Sequence, residues 1–287
     1  MTGKFFQEIR EKKNRTITNV SEGIVSPQFL RKYERENGDI RFSNLVQLLN
    51  RLNTTVDEFA FEIEGSLDAW LYEIEEEIDQ AYHAGNSFSL KKFVEKQEAF
   101  YKETKEDRFL FAAIIGQRFY NYIFLPSYTV NVSPIANYLR ETETWGKFES
   151  FLVTYNGDLF SPEEAFYYAN RLVNQQDGNY EIRKWRCDAV LHLARFLVEE
   201  NQLISAEKIL VEYLSYLTPN RDLKYIHYDL YAKFLYGLLL VKKHDSKGQD
   251  QCERIIDIFV NVCGYTNYGN RLNILYLSTL AESEQTN

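Results

Sequence analysis

Apolar positions recur at i, i+3, i+4 and i+7 along most of the chain, the spacing that lines one face of an α-helix. Residues 41–53 show it as Phe42, Leu45, Val46, Leu49 and Leu52. It returns as Trp70, Leu71, Ile74 and Ile78, and again as Val190, Leu193, Leu197 and Val198. Segments near 230–241 and 255–263 are apolar on almost every side, which predicts helices covered by several neighbours. Alternating period-two runs hardly occur; VTYNG at 153–157 has a strand-like composition but is too short to build a sheet. The pattern predicts an all-α chain, with about five short helices before Gly65 and about eleven longer ones after it.

Punctuation agrees with this. Ser26-Pro27, Ser133-Pro134, Ser161-Pro162 and Thr218-Pro219 read as helix starts, because the hydroxyl caps free N–H groups and proline tolerates the first helical position. Glu164, three residues after Ser161, completes a capping box. Glycines at 38, 65, 85, 146, 157, 178, 248 and 264 fall between periodic runs and read as helix ends. The later helices pair across short loops in units of roughly 35 to 45 residues, the period of tetratricopeptide-like solenoids. The strict W-x₂-L-G-x₂-Y signature is absent, so any such repeat is degenerate and an irregular helical bundle is the alternative.

Charge then divides the chain. The 287 residues carry a net charge of -9, but residues 1–53 hold ten Lys or Arg against six Asp or Glu. A head of +4 therefore sits on an acidic body of -13, which confines phosphate contact to the head. We expect a helix-turn-helix domain over residues 1–65 and a helical-repeat domain over 66–287. The chain shows no run of eighteen apolar residues and no apolar leader at its start, so a cytoplasmic, nucleoid-associated protein without membrane contact is expected. Cys187, Cys252 and Cys263 are too few and scattered for a disulfide framework or a four-ligand zinc site, and buried thiols are expected. Histidines at metal-ligand spacing, a P-loop, G-x-G-x-x-G and G-x-S-x-G are absent, so neither a cofactor nor enzymatic activity is expected.

The head carries the most specific signal. Five short helices run in order over residues 3–61, and the third, opened by Ser26-Pro27, is followed by Gly38. This order resembles the five-helix repressor-type helix-turn-helix, whose third helix enters the major groove. Leu30 and Tyr33 would pack inward, leaving Ser26 at the helix tip and Gln28, Phe29, Arg31, Lys32 and Arg35 outward to reach phosphates and base edges. Lys12, Lys13 and Arg15, ahead of the second helix, are placed for contacts to the DNA backbone.

The run VSPQFLRKYERENGDIRFSNLVQLLNRLNTTVDEFAF (25–61) resembles the N-terminal domain of the Rgg/GadR/MutR transcriptional regulators. The resemblance rests on Tyr33-Glu34 in the third helix, the acidic turn before Ile40 and the following leucine series. It extends to YLRETETWGKFESFLVTYNG (138–157) and FLYGLLLVKKHDSKG (234–248). Arg35-Glu36-Asn37-Gly38 departs from the shorter R-G of many members. The resemblance implies a homodimer bound to a double-stranded promoter operator, with a body that binds a short peptide pheromone and RNA polymerase as a further partner. It also places Asn156 where the family has an asparagine that clamps the peptide backbone, and His192 where a second such asparagine stands. Arg171 and Arg186 are candidates for a peptide carboxylate, and Tyr167, Tyr228 and Tyr231 for the groove wall. Three other readings remain open: a helical adaptor working by protein contact alone, a repressor that needs no peptide and, last, a helical hydrolase, for which no nucleophile–base constellation is visible.

Overall fold

The computed structural model describes residues 2–63, 65–124, 127–175, 178–217 and 223–285. Sixteen α-helices and no strand occur among them. The chain forms two compact units, residues 1–95 with 119–125, and residues 96–118 with 126–287. Thr218-Pro219 lies outside the described residues.

In the first unit α1 (Thr2–Lys12), α2 (Ile17–Ser21), α3 (Pro27–Glu36), α4 (Phe42–Arg51) and α5 (Val56–Phe61) enclose a small core. Phe6, Val20, Leu30, Tyr33, Leu48, Leu49, Leu52 and Phe59 are buried there. On the expected face of α4, Leu49 and Leu52 are buried and Leu45 and Val46 half-buried; Leu48 joins them, while Phe42, at the first helical position, is 68% exposed. α6 (Leu67–His83) buries Trp70, Leu71, Ile74 and Ile78 as their spacing predicts.

Helix ends in this chain depend on asparagine as well as glycine. Asn14, Asn37, Asn53 and Asn201 all adopt positive φ, the left-handed conformation that closes a helix. α3 accordingly ends on Asn37 at φ +50°, not on Gly38. The Asn37 Oδ1 also accepts the Lys4 N–H at 3.1 Å, so one residue closes α3 and caps the start of α1. Gly3 makes that junction possible, because a Cβ there would lie 2.0 Å from the Tyr33 carbonyl oxygen. Two other glycines expected at helix ends stand at helix starts. Gly146 precedes α10 and donates its N–H to Glu149 at 2.7 Å, and Gly248 sits in the first turn of α15.

The chain continues through α7 (Ser87–Thr104), α8 (Asp107–Ile123), α9 (Ser133–Glu141), α10 (Lys147–Asn156) and α11 (Pro162–Asn174). Then come α12 (Tyr180–Glu199), α13 (Leu203–Leu217), α14 (Ile226–Lys242), α15 (Lys247–Asp257) and α16 (Thr266–Gln285). The strand-like 153–157 segment is the end of α10 and the start of a 3₁₀ turn, Gly157–Leu159. Ser161 caps α11 through the expected box, whereas Ser133 is itself the first residue of α9 and Val132 precedes it without a side-chain cap.

From α10 onward, most helices pack against near neighbours in the chain: α12 touches α10, α11, α13 and α14, and α14 touches α12, α13, α15 and α16. That stacking is the mark of a degenerate helical solenoid, not an irregular bundle. α14 and α15 cross with their backbones in contact, since a Cβ on Gly248 would lie 2.6 Å from the Gly237 carbonyl oxygen. The 255–263 segment is less covered than its composition predicts. Ile255 and Phe259 are buried, but the helix widens into a π-turn at Ile258–Val262 and Val262 is 73% exposed. Cys187 and Cys252 are buried free thiols, while Cys263 is exposed, contrary to expectation.

Candidate nucleic-acid interface and peptide site

α3 is held from beneath by a buried ion pair. Arg10 of α1 donates from Nε and Nη2 to the two Glu34 carboxylate oxygens at 2.7 and 2.8 Å, and from Nη1 to the Arg15 carbonyl at 2.8 Å. Its guanidinium pKa is raised, chiefly by the hydrogen bond to Glu34. Both side chains are nearly inaccessible, so the bidentate geometry fixes the rotation of α3 about its own axis. Together with buried Leu30 and Tyr33 this turns the opposite face to solvent. The Ser26 hydroxyl accepts the Phe29 N–H at 3.1 Å, and Pro27 occupies the first helical position, so the tip of α3 is well anchored.

Gln28, Phe29, Arg31, Lys32 and Arg35 are all exposed, as the helical spacing predicts. Glu36 lies 3.9 Å from Lys32 and pairs with Arg35, which holds its carboxyl below the usual range. Lys12 and Arg15 are exposed near the end of α1. Lys13 is differently placed. Its ammonium donates to the Leu52 carbonyl at 2.7 Å, the Asn53 carbonyl at 2.9 Å and the Thr54 hydroxyl at 2.8 Å, closing the C-terminus of α4. Arg51 does the same for α2 through the Asn19 and Glu22 carbonyls, both at 3.1 Å.

In the second unit a polar stripe runs along α12, otherwise rich in buried apolar residues. Asp188, His192, Arg195 and Glu199 are spaced by four, three and four, which places them on one helix face. Tyr228 of α14 donates to Asp188 at 3.3 Å, and Tyr231 lies against Arg195, whose Nε donates to Glu199 at 2.8 Å. Burial opposes the Arg195 charge, but Tyr231 and Glu199 outweigh it and raise the pKa. Burial and Asp188 likewise raise the Tyr228 hydroxyl. His192 Nε2 stands 3.8 Å from Asp158 in the 3₁₀ turn. Asp158 also receives the Arg118 guanidinium of α8, which donates to the Tyr155 carbonyl at 2.6 Å as well. Burial alone would raise the Asp158 carboxyl; His192 and Arg118 together hold it well below the usual carboxylate range.

The sequence-derived peptide candidates separate accordingly. His192, Tyr228 and Tyr231 come together on this stripe. Asn156 sits beside it, fully buried, with Nδ2 donating to the Leu152 carbonyl at 2.9 Å and Oδ1 unpartnered. Arg171 stacks on Trp145 at 4.5 Å and donates to the Thr142 carbonyl at 2.7 Å, holding the turn after α9. Arg186 is buried and donates to the Gln175 carbonyl, while Tyr167 is exposed on α11 against Tyr168.

A family model described as the C-terminal domain of the HTH-type transcriptional regulator Rgg matches residues 91–269, and a helix-turn-helix model matches residues 6–59. The chain belongs to the Rgg family. Its fold is shared with the Streptococcus dysgalactiae SHP pheromone receptor Rgg2, at 17% identity over 96% of this chain and 99% of that one, TM-score 0.78. It is also similar to a bacterial peptide pheromone/receptor complex (15% identity, 98% of each chain, TM-score 0.71). ComR from S. thermophilus, solved with DNA and its signalling peptide ComS, matches at 12% identity over 97% and 99%, TM-score 0.55.

Several residues of this Rgg regulator escaped the sequence reading. Arg10 and Arg51 were hidden among the basic residues of the head, and Glu34 was read only as part of the Tyr33-Glu34 resemblance, not as the buried partner of Arg10. Asp188, Arg195 and Glu199 had a legible signal, since polar groups at four-three-four spacing interrupt an apolar helix. Arg118 and Asp158 had none, being forty residues apart.

Proposed function

We propose that this Rgg regulator binds a promoter duplex through the outward face of α3 and responds to a short peptide held along the polar stripe of α12. The observation that carries the reading is the division of labour on α3. One face is fixed by the Arg10–Glu34 pair, and the other offers Gln28, Phe29, Arg31, Lys32 and Arg35 to solvent. Lys12 and Arg15 serve as backbone contacts, whereas Lys13 serves the fold. The protein acts as a homodimer in the cytoplasm at the nucleoid, recruits or blocks RNA polymerase, and performs no chemistry.

One similar protein is a pheromone receptor and another is bound to DNA and a signalling peptide, which supports a peptide as the effector here. An extended peptide offers backbone donors and acceptors that Asp188, His192 and Arg195 can match, and the Tyr228 and Tyr231 rings supply apolar wall. Occupancy changes transcription only if the peptide binds one conformational state better than another. The test is fluorescence anisotropy of the promoter duplex with the full chain, titrated with synthetic short apolar peptides encoded beside the gene. Saturable binding of one peptide with a change in duplex affinity is expected. Duplex binding that no peptide alters would leave a peptide-independent repressor, and no duplex binding would leave an adaptor.

A further inference from the structure

We propose that Phe29 reads sequence directly, its ring taking the C5-methyl group of a thymine in the major groove; this rests on the duplex-binding reading above. Phe29 is the third residue of α3, and its backbone N–H is tied to the Ser26 hydroxyl at 3.1 Å. Phe29 is 38% exposed, so a large part of the residue faces water although its backbone N–H is tied down. It belongs neither to the buried core of the head nor to the half-buried apolar residues packed against that core, which include Ile24, Val25, Leu45 and Val56. Its exposed neighbours on α3 are Gln28, Arg31 and Lys32, each able to meet a phosphate or a base edge by hydrogen bonding. An apolar ring can do neither.

The major-groove edges of the bases present donors, acceptors and one apolar group, the thymine methyl. A ring held at the anchored tip of an inserted helix therefore gains most where a thymine stands. Burying one methyl-sized group is worth about a four-fold change in affinity. Phe29 thus selects a base class, with Gln28 and the cations supplying the polar contacts beside it.

The experiment selects duplexes from a randomised pool with the full-length protein and remakes the enriched duplex with single thymines replaced by deoxyuridine. That exchange removes the methyl and leaves Watson–Crick pairing intact. At one or more positions deoxyuridine is expected to weaken binding to the native protein about four-fold. The Phe29→Ala protein should bind the thymine and uracil duplexes of that position equally. Because the ring lies outside the core, Phe29→Ala should keep the native salt dependence of duplex binding, which reports that the head is intact. Uracil effects of equal size in both proteins, or none in the native protein, would overturn the assignment and leave duplex binding standing. A pool with no enriched duplex would overturn both.

Discussion

Replacing Arg10 by Met removes the guanidinium from beneath α3 while keeping a long apolar side chain. Glu34 would then stand with only 4% of its side chain accessible and both charge-assisted hydrogen bonds gone. Breaking one partner of a buried pair typically costs about 3–5 kcal/mol, because the remaining charge is uncompensated. A head of this size has a total stability of only about 3–9 kcal/mol, so the variant should lose most of it. Hydrogen exchange of α1 and α3 amides, read on peptides from the intact chain, should accelerate by about two to four decades. The double variant Arg10→Met with Glu34→Leu removes both charges and should recover most of that protection. If Arg10→Met alone changes exchange by less than about one decade, or the double variant is no better than the single, the buried pair does not hold α3.

Other consequences follow from particular interactions. Gly3→Ala places a methyl against the Tyr33 carbonyl and should destabilise the head by about 1–3 kcal/mol, seen as a lower urea midpoint. Of the three thiols Cys263 alone should react with iodoacetamide at neutral pH in the folded chain, since burial pushes Cys187 up to about 11 and Cys252 up to about 12. Asp158 titrates below its unfolded value, so its contribution is present above about pH 4 and is lost as pH falls through the depressed native value. Asp158→Asn should therefore lower Tm most at pH 6–7, with the gap to the native protein narrowing below about pH 4; a gap that widens on acidification contradicts the charge assignment.

The helices and their order were legible because amphipathic spacing is local: Trp70, Leu71, Ile74 and Ile78 are buried as their register demands. Helix ends were read less well. Asparagine reaches the left-handed region more readily than other residues with a Cβ, and a search for glycine passes over Asn37 and Asn53. Long-range pairings left no trace in the sequence. The ammonium of Lys13 looks like any head cation until Leu52, Asn53 and Thr54 are seen around it, and Arg171 looks like a carboxylate ligand until Trp145 is beneath it. Solvent-facing residues of α3 were identified correctly because their exposure follows from the helix period alone.

The salt dependence of duplex affinity, compared between Arg31→Ala/Lys32→Ala and Lys13→Ala, tests the interface most directly. Each cation withdrawn from a phosphate should reduce the slope of log affinity against log salt by about 0.9. The double variant should therefore flatten the slope by close to two units, while Lys13→Ala lowers thermal stability and leaves the slope unchanged. An unchanged slope for the double variant would contradict an interface on the outward face of α3, and an equal flattening for Lys13→Ala would contradict its assignment to the fold.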